Sequence, residues 1–328
     1  MAYAAITGWG MCVPERILTN AELERMVDTS DEWIQTRTGI RERRVVGPGE
    51  TSSTLGSAAA RQALERAGVR PEQIDLIVVG TSTPDNPLPS TASIVQTKLG
   101  ATRAAPFDVN AACSGFVYAL VTGTQFIRAG GMETVLVVGA DVLTRYINYQ
   151  DRNTCILFGD GAGAVVLQAS QRPAGVLAFD LGAVVGTSDL LYVSPSASHP
   201  LVADALPPEG QYMRMEGREV FKYAVRAMGD SSLKVLQETG LTVGDIDLLV
   251  PHQANLRMIE AVAKRLDLPM ERAVVNIDRY GNTSAGTIPL AMCEAWDAGR
   301  LQDGQNVLIT ACGGGLTWGS AVIKWGRG

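Results

Sequence analysis

The sequence predicts an α/β protein made of two similar halves, each a mostly parallel sheet flanked by helices. Three observations lead there. Stretches with apolar residues at helical spacing alternate with short, wholly apolar, β-branched runs, as expected for strands buried on both faces. Such alternation favours parallel pairing. The order of these stretches also repeats at a constant offset. Gly68-Val69 and Ile74-Asp75-Leu76-Ile77-Val78 return 172 residues later as Gly240-Leu241 and Ile246-Asp247-Leu248-Leu249-Val250. Val135-Leu136-Val137-Val138 returns as Val307-Leu308-Ile309-Thr310 at the same offset. Ala164-Val165-Val166 is echoed by Ala321-Val322-Ile323 at 157, so the first half carries extra residues between its last two strands. The halves divide near 1–170 and 171–328, which suits 328 residues at ~150 per domain.

Taken in order, Ser57 to Ala67 reads as a helix and Leu76 to Val79 as a buried strand. Pro106 to Val109 is a short strand that turns into a helix over Phe116 to Arg128. Gly159-Asp160-Gly161-Ala162-Gly163 resembles a phosphate loop without the strand-then-helix setting, so a tight turn is the better reading. Gly186 to Gly217 has neither period and is rich in Pro and Ser, an excursion of the kind that is often functional. Glu219 to Glu238 reads as a helix, Leu248 to Val250 as a strand, and Gln253 to Leu266 as a helix.

Hydrophobic residues at 46% and charged residues at 19% supply a large core and exclude intrinsic disorder. The balance of 28 Lys+Arg against 34 Asp+Glu gives −6, which does not indicate a nucleic-acid partner. No apolar run approaches the ~20 residues of a membrane span, and Met1 to Cys12 does not read as a signal peptide. Cysteines 12, 113, 155, 293 and 312 are odd in number and form no CxxC pair. That argues against a disulfide framework or a zinc site and for the reducing cytoplasm. His199 and His252 are the only histidines, so a multi-histidine metal site is nearly excluded.

Three turns carry the chemistry. Cys113 lies among small residues where a strand becomes a helix, and a helix N-terminus favours a thiolate. A lone cysteine is more often an inert small hydrophobe, the reading given to Cys12, Cys155 and Cys293. His252 follows the strand ending at Val250, in the polar string His252-Gln253-Ala254-Asn255, and loops after parallel strands share one sheet edge. His199, in Ser198-His199-Pro200, reads as a solvated loop residue. Under the 172 offset Cys113 falls on Ala285, so the turn Gly281-Asn282-Thr283-Ser284-Ala285 is the second half's counterpart of the cysteine turn. Asn282 can be an ordinary turn residue, yet with Cys113 and His252 it completes a Cys–His–Asn set. Gly313-Gly314-Gly315 offers bare N–H groups, and Gly314 with the Cys113 N–H can form an oxyanion hole.

Asn110-Ala111-Ala112-Cys113-Ser114-Gly115, Pro251-His252-Gln253-Ala254-Asn255 and Gly281-Asn282-Thr283-Ser284-Ala285 resemble the three motifs of the β-ketoacyl-acyl-carrier-protein synthase III family. The likeness runs end to end, including Thr29 to Ile34 and Arg37 to Arg43. It implies the thiolase fold, a five-layered αβαβα sandwich, and a two-stage decarboxylative condensation. Cys113 would take an acyl group from acyl-CoA; malonyl-acyl carrier protein would then lose CO2, with His252 and Asn282 stabilising the enolate. No cofactor is implied beyond these thioester substrates. The resemblance places Trp33, Arg37, Arg152 and Asn255 at CoA, with the adenine sandwiched between Trp33 and Arg152, and Leu88, Phe158 and Cys312 at the acyl pocket. It also puts Lys222, Gln253, Ala254, Asn255, Leu256, Arg257 and Arg265 at the carrier protein, and implies a homodimer. Leu88 and Cys312 stand where the common bacterial enzymes have phenylalanine, so a roomier acyl pocket is expected. Two other classes remain open: a cysteine thioester hydrolase, for which Cys-His-Asn is also a known grouping, and a silent carrier-binding scaffold. Within the condensing class, an enzyme of secondary metabolism is the alternative.

Overall fold

The computed structural model describes residues 2–193 and 212–326. Up to Ser170 the chain holds β1 (Tyr3–Cys12), β2 (Ile17–Thr19), α1 (Asn20–Leu23), α2 (Asp31–Thr38), β3 (Glu42–Arg44), α3 (Ser52–Ala67), β4 (Leu76–Gly80), α4 (Thr91–Leu99), β5 (Ala105–Val109), α5 (Gly115–Arg128), β6 (Thr134–Val142) and β7 (Asp160–Ser170). Beyond it come β8 (Gly175–Ala183), β9 (Leu191–Val193), β10 (Met213–Met215), α6 (Gly217–Thr239), β11 (Leu248–Pro251), α7 (Leu256–Arg265), α8 (Ile277–Tyr280), α9 (Thr287–Asp297), β12 (Asn306–Gly313) and β13 (Thr317–Lys324). Among the described residues no helix is long and apolar enough to cross a membrane.

The strands form two main sheets, ordered β1-β7-β6-β4-β5 and β11-β12-β13-β8. In the first sheet β4 and β6 are buried along their whole length, as their apolar runs Leu76 to Val79 and Val135 to Val138 require when both faces are covered. Five layers result. Helices α3 and α4 cover the outside of the first sheet, and α6 and α7 cover the outside of the second. Between the sheets lie α5 and α9; α5 packs on β4 and β6 and also on β8, β12 and β13, while α9 packs on β1, β7 and β11. A single apolar cluster, from Ile6 and Val137 through Phe116 and Met292 to Ile309, runs through this middle.

The repeat reaches the detail of the turns. Short 3-10 turns at Ala112–Ser114 and Ser284–Gly286 lie 172 apart, each leading into a middle-layer helix. Each contains a non-glycine residue in the left-handed region, Ala112 at φ 47° and Ser284 at φ 51°. Such residues cost ~1–3 kcal/mol and persist only where their surroundings hold them.

Four expectations need correction. The sheets are mixed: β4–β5, β4–β6 and β11–β12 are parallel, and the other four pairings are antiparallel. Only residues 314–316 separate β12 from β13, too few for the crossover a parallel pair needs. Gly159 to Gly163 is no tight turn but the entry to β7, where β-carbons at Gly161 and Gly163 would collide with Leu290 and Pro289 of α9. The helix expected from Ser57 begins at Ser52, because Thr51 caps it through the Thr54 N–H. The helix expected from Gln253 begins at Leu256, where the Asn255 side chain accepts from the Arg257 N–H at 2.9 Å. Of the excursion after Gly186, the described parts form an antiparallel ribbon of β9 and β10. His199 lies outside the described residues.

At Gly139 on β6, a β-carbon would stand 2.2 Å from the Ala285 carbonyl oxygen. Backbone on both sides leaves nothing that can yield. Gly139→Ala is therefore expected to lower stability by ~1–3 kcal/mol, read from urea unfolding.

Candidate active site

The first turn delivers the cysteine. After β5, the Asn110 side chain accepts from the Ala112 N–H at 3.2 Å, and the left-handed Ala112 swings Cys113 to the start of α5. Cys113 is 7% exposed. Burial pushes its thiol up to about 11, and the nearby Asp141 charge adds to the rise; the side chains of Ser284 and Asn282 work against it. Burial thus disfavours the thiolate expected at the helix end. Loss of water around the sulfur outweighs the favourable dipole.

The second turn delivers the imidazole. His252 leaves β11 with its N–H bonded to the Thr310 carbonyl at 2.8 Å, and Thr310 is itself tied to Ser320. Burial pulls the imidazole down to about 3, so at neutral pH it is uncharged. Next to it, Gln253 is 1% exposed: its amide donates to the carbonyls of Pro251 at 2.9 Å and Val274 at 3.0 Å and accepts from Asn276 N–H at 3.0 Å. It braces the His252 loop and cannot meet a carrier protein.

The third turn delivers the carboxamide. The Asn282 N–H donates to Leu157 O at 2.8 Å, and its carbonyl accepts from Gly159 N–H at 3.0 Å. Its side-chain oxygen accepts from the Ser284 N–H at 2.8 Å. With that oxygen engaged inside the turn, the amide NH2 is the group left for the cavity. Cys113, His252 and Asn282 all line one cleft of about 710 Å³.

Cys113 also borders a second cavity of about 280 Å³, walled by Ala112, Leu143, Tyr146, Val193, Met213 and Gly314. Phe158 lies at both cavities, whereas Cys312 borders only the larger. Leu88 borders neither and is 85% exposed, so one chain does not bring it to an acyl pocket. The loop that carries it faces outward, and the expectation of a roomier pocket loses that support.

Where Trp33 lines the cleft, the Arg37 guanidinium lies over its ring at 4.8 Å and that of Arg152 at 4.5 Å. Arg152 also bonds the Asp28 carbonyl at 3.1 Å. A flat ring stacked between Trp33 and Arg152 needs about 7 Å between them, two contacts of ~3.5 Å, so the slot is shut. Asn255 donates to Arg37 O at 2.9 Å, joining the His252 loop to α2. Arg37, Arg218, Lys222, Arg257 and Ala254 line the cleft. Leu256 is half-buried beside Gly39. Arg265 stands outside the cleft, paired with Asp230.

The sequence matches the family described as 3-oxoacyl-[acyl-carrier-protein (ACP)] synthase III over residues 107–184, and its C-terminal region over 236–325. A β-ketoacyl-[acyl-carrier-protein] synthase III of Roseiflexus sp. (strain RS-1) is 59% identical over 98% of both chains. A solved β-ketoacyl-[acyl carrier protein] synthase III of Thermus thermophilus is 46% identical, covers 99% of this chain with 100% of its own, and superposes with a TM-score of 0.91. The chain belongs to the β-ketoacyl-[acyl-carrier-protein] synthase III family. It is a condensing acyltransferase of the kind that initiates fatty acid synthesis, and its fold is the thiolase-like one. A priming β-ketosynthase from the R1128 polyketide pathway has the same fold at 36% identity and a TM-score of 0.93, covering 98% of this chain and 96% of its own.

Several residues at this candidate site escaped the sequence reading. Ser284 stands at the sulfur, Arg218 and Met215 line the cleft, and Asp141 acts on the thiol. Asp141 did leave a signal, an acid at the end of an otherwise apolar strand. The buried thiol makes a pH prediction. Alkylation of Cys113 by iodoacetamide, followed by mass spectrometry, should keep rising with pH past the ordinary thiol range of ~8.5, because only the thiolate reacts. A plateau reached below pH 9 would contradict the assigned environment.

Proposed function

We propose that this chain condenses an acyl-CoA primer with malonyl-acyl carrier protein through Cys113, His252 and Asn282. The observation that carries the reading is the shared cleft, with the Asn282 amide oxygen spent on Ser284 N–H and its NH2 left as a donor beside the Cys113 sulfur. In the first stage the Cys113 sulfur attacks the thioester carbonyl, and CoA leaves as its thiol with the proton. In the second, malonyl-acyl carrier protein loses CO2 and becomes an enolate, whose oxygen accepts from the imidazole N–H and from the Asn282 NH2. The enolate carbon attacks the acyl-enzyme carbonyl, with the N–H groups of Cys113 and Gly314 on the oxyanion. Collapse releases 3-oxoacyl-acyl carrier protein, and the sulfur takes up a proton.

Electrostatics favours this over hydrolysis. A hydrolase needs His252 as a base for the thiol and Asn282 as its orienting partner. An imidazole held near 3 is a poor base at neutral pH, and the Asn282 oxygen is turned to Ser284 instead. Two neutral donors, by contrast, work at any pH and are strongest in a dry site.

The synthase would use no cofactor beyond its thioester substrates. Trp33, Arg37, Arg152 and Asn255 would hold CoA once Arg152 swings off the indole. Arg257, Lys222, Ala254 and Leu256 form the half of the rim suited to an acidic carrier protein, in a chain of net charge −6. The smaller cavity is the acyl site, with Phe158 at its neck. We also propose a homodimer of cytoplasmic location, each chain divided at 170/171 into two halves. An exposed Leu88 and the open edge of β5 suit a second copy, which would bring Leu88 to a pocket that it does not reach in its own chain.

Mass spectrometry after incubation with mixed acyl-CoAs should find the acyl group on Cys113 and on no other cysteine. Acyl groups longer than acetyl should be accepted, as the 280 Å³ cavity would allow. Asn282→Ala is expected to leave that acylation in place while slowing condensation ~10²–10³-fold. Rapid thioester hydrolysis without malonyl substrate would instead support the hydrolase.

A further inference from the structure

Asp141 lies one residue from the end of β6, is fully buried, and makes or breaks no bond in the chemistry above. Its Oδ1 accepts from the hydroxyls of Thr81 at 3.1 Å, Ser82 at 3.2 Å and Thr83 at 2.8 Å, and from the N–H groups of Ser82 at 2.8 Å and Thr83 at 3.0 Å. Its Oδ2 faces the other way and accepts from the Ala285 N–H at 3.1 Å. All of these partners are hydroxyls or backbone N–H groups, with no cation among them. Burying a carboxylate without a cation is costly unless its lone pairs are filled. Here they are filled, five donors from one side and one from the other.

The sixth donor is the informative one. Ala285 is in the turn that holds Asn282 and Ser284, and it is the 172-residue counterpart of Cys113. The N-cap residues of that turn and of α9, Thr283 and Gly286, make no side-chain cap bond, and inside the turn the Asn282 oxygen takes the Ser284 N–H but not the Ala285 N–H. Ser284 is held in the left-handed region, so the turn needs an outside restraint. A carboxylate at a helix N-terminus is favourably placed to provide it.

We propose that Asp141 is a positioning residue for the condensing step, its carboxylate locking the Asn282–Ala285 turn onto the end of β6 so that Asn282 meets the Cys113 sulfur in one fixed geometry. The inference rests on the condensing reading. It also accounts for an acid in a place where its charge opposes formation of the thiolate. An amide could not do the same work. Five donors at Oδ1 would claim the single oxygen of an asparagine, leaving its NH2 against the Ala285 N–H, donor to donor.

The test separates the two stages in the full-length enzyme. With Asp141→Asn, acylation of Cys113 by acyl-CoA should be held or become faster, because a charge that opposes the thiolate is removed. Condensation of the preformed acyl-enzyme with malonyl-acyl carrier protein should slow about 10-fold or more in kcat, with KM for the carrier substrate held, because displacement of the donor by a fraction of an ångström weakens only the later step. Equal losses in both stages would make Asp141 merely structural, and no loss in either would remove it altogether; both overturn the proposal. Should Asp141→Asn not fold, Thr81→Val removes one donor from Oδ1 and should give a smaller loss confined to condensation, with a uniform or absent effect counting against the proposal. A wild-type enzyme that acylates Cys113 but never forms a ketoacyl product would overturn the condensing reading and this inference with it. Normal wild-type turnover beside an unaffected Asp141→Asn would overturn the inference alone.

Discussion

In the middle layer, two turns touch strands with no side chain between them. Gly139 of β6 meets the carbonyl of Ala285, and a β-carbon at Gly313 of β12 would stand 2.6 Å from the Cys113 nitrogen. Gly115 and Ala285 also approach each other directly. This closeness sets the rest of the site. It brings the Cys113 sulfur of one half beside the His252 and Asn282 side chains of the other, and it leaves that sulfur 7% exposed. It also requires the sharp left-handed steps at Ala112 and Ser284, because a gentler entry into α5 or α9 would hold the turns apart.

Burial then decides which forces count. Burial drives the thiol up and the imidazole down, so both groups rest uncharged at neutral pH. A helix dipole is worth a few tenths to ~2 kcal/mol, and one pKa unit corresponds to ~1.4 kcal/mol, so a rise to about 11 exceeds what the dipole returns. The same environment strengthens every neutral donor aimed at a developing oxyanion. A site of this kind suits the stabilisation of an enolate better than the standing production of a thiolate or of an imidazolium.

The sequence showed the repeat, the three turns and the strands, because each leaves a local pattern. A run such as Leu76 to Val79 can only be a covered strand, and a cysteine among small residues between strand and helix marks a turn. What it hid depends on contacts between distant segments. Gln253 looks like surface in a polar string; it is buried because carbonyls of Pro251 and Val274 are there to receive its amide. Arg43 looks like one charge in a basic run, yet it is fully buried and donates to the carbonyls of Leu18 and Ile156 and to Asn20. The sealing of the sulfur, and the outward position of Leu88, likewise follow from packing that no window of sequence contains.

The two halves keep the same skeleton and divide the chemistry. Asn110 and Asn282 occupy equivalent places, and each accepts the N–H two residues on, so the turn itself is conserved between the halves. At the strand ends the equivalence stops. Gly80 corresponds to His252, and a β-carbon at Gly80 would run into the backbone of Gly115 at 2.6 Å, so only the second sheet can carry an imidazole there. Asp141 corresponds to Gly313: the first sheet offers a carboxylate to the opposite turn, and the second offers bare backbone to the turn that bears Cys113. A carboxylate in the place of Gly313 would sit on the Cys113 N–H, the group proposed to receive an oxyanion. The asymmetry therefore leaves a donor open on the nucleophile's side and fixes the donors on the other. Neither sheet holds a complete site, and the chemistry exists only where their unlike edges meet.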